Sequence, residues 1–331
     1  MVTKIALEEH FLSPGLVDYW RPTMTEVAPE HAEYLFRNLT DFGELRLQSM
    51  DGAGIARSVL SIAGPGVQAE RDAATATRKA SESNDFLARE IERRPDRYSG
   101  FGHLAMQDTK SAADELERCI RELDFAGAMI NGHTHGQYLD DPALYPFWER
   151  ADALGALIYV HPADPVAQPS VLAGYKVLMR PMWGWGFETG SHALRLIVGG
   201  HFDRFPHSRL MLGHLGETLP FLLWRFDSRA QFHGLKLGKP PSQYIRENLL
   251  VTTSGMCSAE PLNCTIAALG HERVMFGADH PFETAQEAGE FLDHVPLAEN
   301  VRADIAFNNA VRHLGLPKDL GLPKDLGPPS A

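Results

Sequence analysis

Short apolar runs recur along the chain, and each is followed by a stretch of helical period. The runs are Lys4–Leu7, Ser58–Ile62, Tyr98–Met106, Gly127–Asn131, Ala156–His161, Leu210–His214, Leu249–Thr253 and Val274–Asp279. Most are rich in β-branched or aromatic residues, which suit strands. The intervening segments Ala113–Leu123, Leu194–Phe205, Leu219–Phe226 and Ala259–Leu269 place apolar residues three and four apart, the spacing of an amphipathic helix.

Eight strands alternating with helices predict parallel βα units. Two topologies carry that pattern: a closed (β/α)8 TIM barrel and an open doubly wound sheet. The open sheet usually carries a glycine-rich phosphate turn after its first strand. Here the first strand runs into Glu8-Glu9-His10 with no such turn. The α/β class and the barrel are therefore the expected fold, with residues 1–314 as one domain. Residues 315–331 contain GLPKDL twice, at Gly315–Leu320 and Gly321–Leu326, and are expected to be an extension with no catalytic role.

Two connections are long. Phe11–Thr40 follows the first strand, and Pro162–Phe187 follows the fifth and carries Met182, Trp183, Trp185 and Phe187. In a barrel both lie on the C-terminal face, where active sites are built. Long aromatic loops there serve as lids or substrate walls, or pack between subunits.

Composition narrows the function classes. The formal net charge is −12, which opposes non-specific binding to nucleic acid or anionic membranes. It leaves room for an anionic substrate, because a metal or an arginine can reverse the field inside one pocket. Cys119, Cys257 and Cys264 fit no zinc spacing and no disulfide framework, as expected of a cytoplasmic protein. The N-terminal residues lack an apolar signal core, and no apolar run reaches the roughly 18 residues of a membrane span.

The candidate chemistry sits at strand ends. Glu8 and His10 end the first run, His161 the fifth, His214 the sixth and Asp279 the eighth. Two residues apart on an extended strand, Glu8 and His10 point to the same side. Imidazole and carboxylate donors converging on one barrel mouth suit a single divalent ion, Zn²⁺ or Mn²⁺, with positions left open for substrate. Taken singly, each has a plainer reading. A histidine at a strand end is commonly hydrogen-bonded structure, Glu8 or Glu9 can be a solvated charge, and Asp279 before Pro281 can start a turn.

Three further features stay open at this level. His133 and His135 form an H-x-H, a familiar ligand pattern, but Gly132 and Gly136 flank it and favour a loop or a substrate-side role. Glu217 lies three residues after His214 in GHLGE, so a turn into a helix can bring its carboxylate onto the imidazole. Glu217 can equally be a favourable charge at a helix N-terminus. Arg225, further along, is either a bidentate clamp for a carboxylate or a surface arginine pairing with Asp227 or a neighbouring subunit.

Together these residues resemble a known group. The E-x-H of strand one, the H-P after strand five, GHLGE after strand six and ADHPFE after strand eight resemble the amidohydrolase superfamily. KIALEEHF, GAMING and LPFLLWRFDSR are similar to its metal-dependent hydroxybenzoate decarboxylase branch, above all to the gamma-resorcylate (2,6-dihydroxybenzoate) decarboxylases. The resemblance implies a (β/α)8 barrel, one divalent metal ion, no organic cofactor, a small aromatic carboxylate substrate and a homodimer or homotetramer. Carried onto this chain, Glu8, His10, His161 and Asp279 hold the metal, and His214 and Glu217 form a catalytic pair with Asp279 as proton donor. Asn131 and Arg225 hold the substrate, with Phe187 and Phe282 against its ring. Trp185, in the long aromatic loop, is a further candidate for substrate contact. The chain departs from the pattern at His280, where relatives usually carry an aromatic residue, and at His133 and His135. These departures bear on which hydroxybenzoate is preferred. The alternative activity is hydrolysis of a lactone or amide by the same metal. Relatives acting on muconate semialdehyde typically begin with H-x-H, which residues 8–10 lack.

Overall fold

The computed structural model describes residues 1–317. Its strands are β1 (Lys4–Phe11), β2 (Ile55–Ile62), β3 (Tyr98–Gly100), β4 (Gly102–His103), β5 (Ala128–Asn131), β6 (Leu157–His161), β7 (Arg209–Leu212), β8 (Leu249–Thr252) and β9 (Val274–Met275). They pair in parallel as β1-β2-β3 and β4-β5-β6-β7-β8-β9. Phe101 alone separates β3 from β4, and its N–H donates to Leu60 O at 2.8 Å, so the two are halves of one barrel stave. The ring closes between the first and last strands: Leu7 bridges Gly277, Leu7 N–H donates to Phe276 O at 3.0 Å, and His10 N–H to His280 O at 2.8 Å. The expected eight-stave barrel is the fold found.

Every residue of β1 and β2 is buried. Strands covered by helices outside and by packed side chains inside read as near-continuous apolar runs, which is why the sequence signalled them by β-branched content rather than by alternation. Inside the barrel Phe101 meets Tyr159 edge-on at 5.9 Å, so the interior is a filled core. The outer helices take their starts from local chemistry. Asp72 accepts from Thr75 N–H at 2.9 Å before helix Ala73–Arg93, and Asp108 from Ser111 N–H at 2.6 Å before helix Thr109–Arg121. Left-handed Gly54 and Gly155 close the helices Glu44–Ala53 and Tyr145–Leu154.

Strand boundaries differ from the sequence reading where the site is built. β1 continues to Phe11, β7 stops at Leu212 before His214, and β9 stops at Met275 before Asp279. Helix Leu223–Phe232 is preceded by a 3-10 turn over Leu219–Leu222. The last helix ends at Leu314, and most of the GLPKDL repeat lies outside the described residues. Among the described residues no helix is long and apolar enough to cross a membrane, and the three cysteines are unpaired.

Candidate metal centre and active site

β1 delivers Glu8 and His10 to the barrel mouth through a bulge. Its pairing with β2 passes from Leu7–Val59 to Glu9–Leu60 and skips Glu8, whose φ is +64°. A bulge re-aims a side chain, and here it does so at a residue that pays left-handed strain of roughly 1–3 kcal/mol. The expectation that Glu8 and His10 share a side holds, through this kink rather than a regular pleat. Glu9 turns away and accepts the Ala278 N–H at 3.0 Å. Burial pushes the Glu9 carboxyl up to about 8, with the Ala278 hydrogen bond and Arg46 acting against the rise.

Glu8 has two unlike oxygens. Oε2 accepts hydrogen bonds from Tyr159, Ser254 and, at 3.2 Å, Thr252. Oε1 is buried with no hydrogen-bond partner, and so is His10 Nε2. A bare carboxylate oxygen and a bare imidazole nitrogen side by side in a dry site are costly unless a cation joins them. His161 Nδ1–H donates to Pro162 O at 2.9 Å, which leaves Nε2 as the free lone pair, 3.7 Å from Glu8 Oε1. Asp279 Oδ1 lies 3.2 Å from His10 Nε2. One ligand atom from each of Glu8, His10, His161 and Asp279 falls within 4.8 Å of the others. Two imidazoles and two carboxylates fit a borderline divalent ion such as Mn²⁺ or Zn²⁺.

The ionisation states match. Burial, followed by the charge of His10, lowers His161 to about 3, so it is neutral and able to ligate. Burial opposes charge on Asp279, yet His10 and His214 outweigh it and hold its carboxyl well below the usual range. At His214 burial favours the neutral ring, but the charges of Glu217 and Glu8 override it and raise the imidazole well above its ordinary value.

His214 and Glu217 pair as one of the two sequence readings proposed: Nδ1 lies 2.7 Å from Glu217 Oε1. The route is unexpected. His214, Leu215, Gly216, Glu217 and Thr218 all have positive φ, between +50° and +84°. This coil of left-handed residues, rather than a helix start, folds the carboxylate back onto the ring. Close approach is made possible by glycines of the neighbouring helix Gly184–Val198: a Cβ on Gly186 would sit 3.0 Å from Glu217 Oε2, and one on Gly190 3.1 Å from its carbonyl oxygen. His214 Nε2 then stands 3.8 Å from Asp279 Oδ2.

Asn131, at the end of β5, is buried with both carboxamide atoms unpartnered, and lies beside Gly64 and His161 at the pocket. Phe282 sets its ring 5.5 Å from His10, and Trp185 sets its indole 6.2 Å from His161. Phe187 is exposed on the rim. Arg225 is also exposed and is not with this cluster, and Asp227 binds Ser242 instead of pairing with it. His133 donates to Asp164 O and His135 to Glu70 O, at 3.0 and 2.7 Å, so the H-x-H is a loop tie and not a ligand pair. His280 is buried behind His10, near Ser49, with burial and then Arg46 lowering it to about 3. The sequence reading missed Tyr159, Thr252 and Ser254. A signal was present: Tyr159 is two before His161, and Thr252 two before Ser254, the spacing of one barrel face.

A (β/α)8 barrel whose mouth gathers an E-x-H, a histidine and an aspartate into one cluster able to hold a single metal ion is the arrangement of a class of metal-dependent enzymes. The amidohydrolase family profile matches residues 38–316, and the chain belongs to that family. It is 38% identical over 324 residues to a gamma-resorcylate decarboxylase of Rhodococcus jostii, covering 94% of this chain and 98% of that one. A crystal structure of 2,6-dihydroxybenzoate decarboxylase complexed with 2,6-dihydroxybenzoate superposes with a TM-score of 0.91 at 36% identity, over 96% of this chain and 100% of the other. A dihydroxybenzoic acid decarboxylase from Polaromonas sp. JS666, with bound manganese and the inhibitor 2-nitroresorcinol, gives 0.90 at 35%, covering 98% and 99%.

Proposed function

We propose that this chain is a divalent-metal-dependent, non-oxidative decarboxylase of ortho-hydroxybenzoates, with 2,6-dihydroxybenzoate as its first substrate and 2,3-dihydroxybenzoate or salicylate next. The observation that carries the reading is the unpartnered pair Glu8 Oε1 and His10 Nε2 facing His161 and Asp279. It stands in a chain 35–38% identical to hydroxybenzoate decarboxylases over nearly its whole length. The same comparisons favour it over hydrolysis of a lactone or amide. Manganese is the ion the relatives point to.

Glu8, His10, His161 and Asp279 would hold the ion, which when bound supplies a Lewis-acid position for the carboxylate and phenolic oxygens of the substrate. The remaining work falls to the protein. Direct loss of CO2 would leave an unstabilised aryl anion. Protonation of the ring carbon that bears the carboxylate avoids it: a C–H bond forms, the C–COO⁻ bond breaks, and CO2 leaves as aromaticity returns. One proton is consumed per turnover and no oxidant is needed. Asp279, ionised at rest, relays that proton from the charged His214 to carbon. His214, charged because of Glu217 and beside Asp279 Oδ2, supplies it and balances the phenolate. Such acid catalysis contributes about 10²–10⁴-fold. Asn131 offers its two free polar atoms to the substrate, and Phe282, Trp185 and Phe187 bound the ring. Arg225 reaches a substrate only across an oligomer. A homodimer or homotetramer agrees with the neighbouring Phe221, Trp224 and Phe232, each more than 70% exposed. Free cysteines agree with a cytoplasmic setting.

Turnover in D2O tests the chemistry. The reading expects one deuterium at the carbon that carried the carboxylate; a ring-opened or hydrolysed product without CO2 would overturn it.

A further inference from the structure

Both histidines of the H-x-H loop bond to backbone carbonyl oxygens, and these contacts have a use. His133 Nδ1 accepts the Gly136 N–H at 3.2 Å, so Nε2 carries the proton and donates it to Asp164 O at 3.0 Å. Asp164 belongs to the long loop after β6, and its Oδ1 accepts the Trp185 indole N–H at 2.6 Å. The two loops meet where Gly132 has no side chain: a Cβ there would lie 2.4 Å from that of Ala163, and its φ is +67°. On the other flank His135 donates to Glu70 O, which Gln107 also binds at 2.8 Å. Arg180 ties the same long loop to Thr23 O at 3.0 Å and lies 3.6 Å from Asp164. One short loop thus fixes the segments on both sides of the pocket.

The geometry points to His133 as a positioning residue for substrate recognition: acting through Asp164, it holds the Trp185 indole against His161 as the pocket wall that selects ring substituents. This rests on the decarboxylase reading above. Without the His133 bond the Asp164 loop loses an anchor, and the Trp185 indole, at the start of helix Gly184–Val198, loses the acceptor that orients it. Ring binding suffers, whereas the proton transfer at Asp279 is untouched.

The test uses the manganese-loaded protein and the variants His133→Ala, His133→Gln, Trp185→Phe and the His133→Ala/Trp185→Phe pair. Glutamine keeps a donor of similar reach; phenylalanine keeps a ring without the N–H. Steady-state kinetics on 2,6- and 2,3-dihydroxybenzoate are read beside acrylamide quenching of tryptophan fluorescence, with Trp185→Phe defining the Trp185 component. His133→Ala is expected to raise KM about three- to tenfold, the range of one net hydrogen bond, with kcat within about twofold. It should also change the ratio between the two substrates and increase quenching of Trp185. His133→Gln should restore most of each effect, and the pair should be no worse than the worse single variant. Unchanged quenching in His133→Ala, a loss confined to kcat, or additive effects in the pair overturns the inference. If the wild type consumes no hydroxybenzoate, the functional reading fails, and the quenching result alone still decides whether His133 holds Trp185.

Discussion

His10 Nε2 and Asp279 Oδ1 stand 3.2 Å apart, one from the first strand of the barrel and the other just beyond the last. The seam that closes the sheet is therefore the seam that assembles the candidate metal site. A buried and a partly buried carboxylate meet two imidazoles there, and a cation between them would convert a cost into a clasp. Removal of the ion by a chelator is expected to abolish turnover and lower Tm by several degrees. Saturation at about 100 Kd contributes about 2.7 kcal/mol. Differential scanning fluorimetry with and without added Mn²⁺ checks this; an unchanged Tm would contradict it.

Asp279→Asn keeps an oxygen in place but cannot take a proton from His214 and pass it on. The expected loss in kcat is at least about 10²-fold, with substrate binding largely kept. Single-turnover rates normalised to measured metal content are the check. A near-normal rate with metal retained would remove Asp279 from the role of acid.

Glu217→Gln keeps a hydrogen-bonding group next to His214 while removing its charge. Burial alone would favour the neutral imidazole, and Glu217 is the leading counterweight. Without it the His214 pKa falls, so the alkaline limb of the kcat profile should move to lower pH, with about a tenfold loss near neutrality. A limb that stays in place would show that His214 charge plays no part.

Gly213→Ala isolates the ligand geometry from the backbone. Gly213 has a φ of −72°, which alanine tolerates, but its new Cβ would lie 2.6 Å from Glu8 Oε2. Glu8 must move away from Tyr159 and Ser254, and Oε1 moves with it. Metal content by mass spectrometry should fall several-fold while far-UV circular dichroism is retained.

Three buried histidines make the fold acid-sensitive. Burial lowers His103 to about 4, and His192 and His201 to about 3. An unfolded histidine titrates near ~6.5, so between about 3 and 6.5 the unfolded chain binds more protons than the native one. Stability falls as pH falls through that window, by up to about 1.4 kcal/mol per unit for each group. His201 sits among Trp148, Phe202 and Phe205, and neither of its ring nitrogens has a partner. His201→Phe should therefore move the acid-unfolding midpoint to lower pH, and an unmoved midpoint would contradict this account.

Much of this was legible in the sequence because parallel strands and barrel chemistry share one rule. Candidate ligands are sought where apolar runs end, and Glu8, His10, His161 and Asp279, picked out on that rule, converge in the fold. What was not legible lay in backbone conformation. The left-handed turn from His214 to Thr218, glycine only at Gly216, and the bulge at Glu8 are exceptions to ordinary sterics, held by tertiary contacts that no local pattern announces. His133 and His135 looked like ligands because spacing cannot distinguish a nitrogen that faces a metal from one that faces a carbonyl. Arg225 is exposed and apart from the site within one chain, because an arginine two turns into a helix has a position that spacing alone does not aim.

Incubation of the manganese-loaded protein with 2,6-dihydroxybenzoate, followed by ultraviolet loss of substrate together with CO2 release, tests the central claim most directly. The account expects equal amounts of CO2 and 1,3-dihydroxybenzene, stopped by a chelator and restored by added metal. Stoichiometric metal in a protein that releases no CO2 from 2,6-dihydroxybenzoate, 2,3-dihydroxybenzoate or salicylate would contradict it.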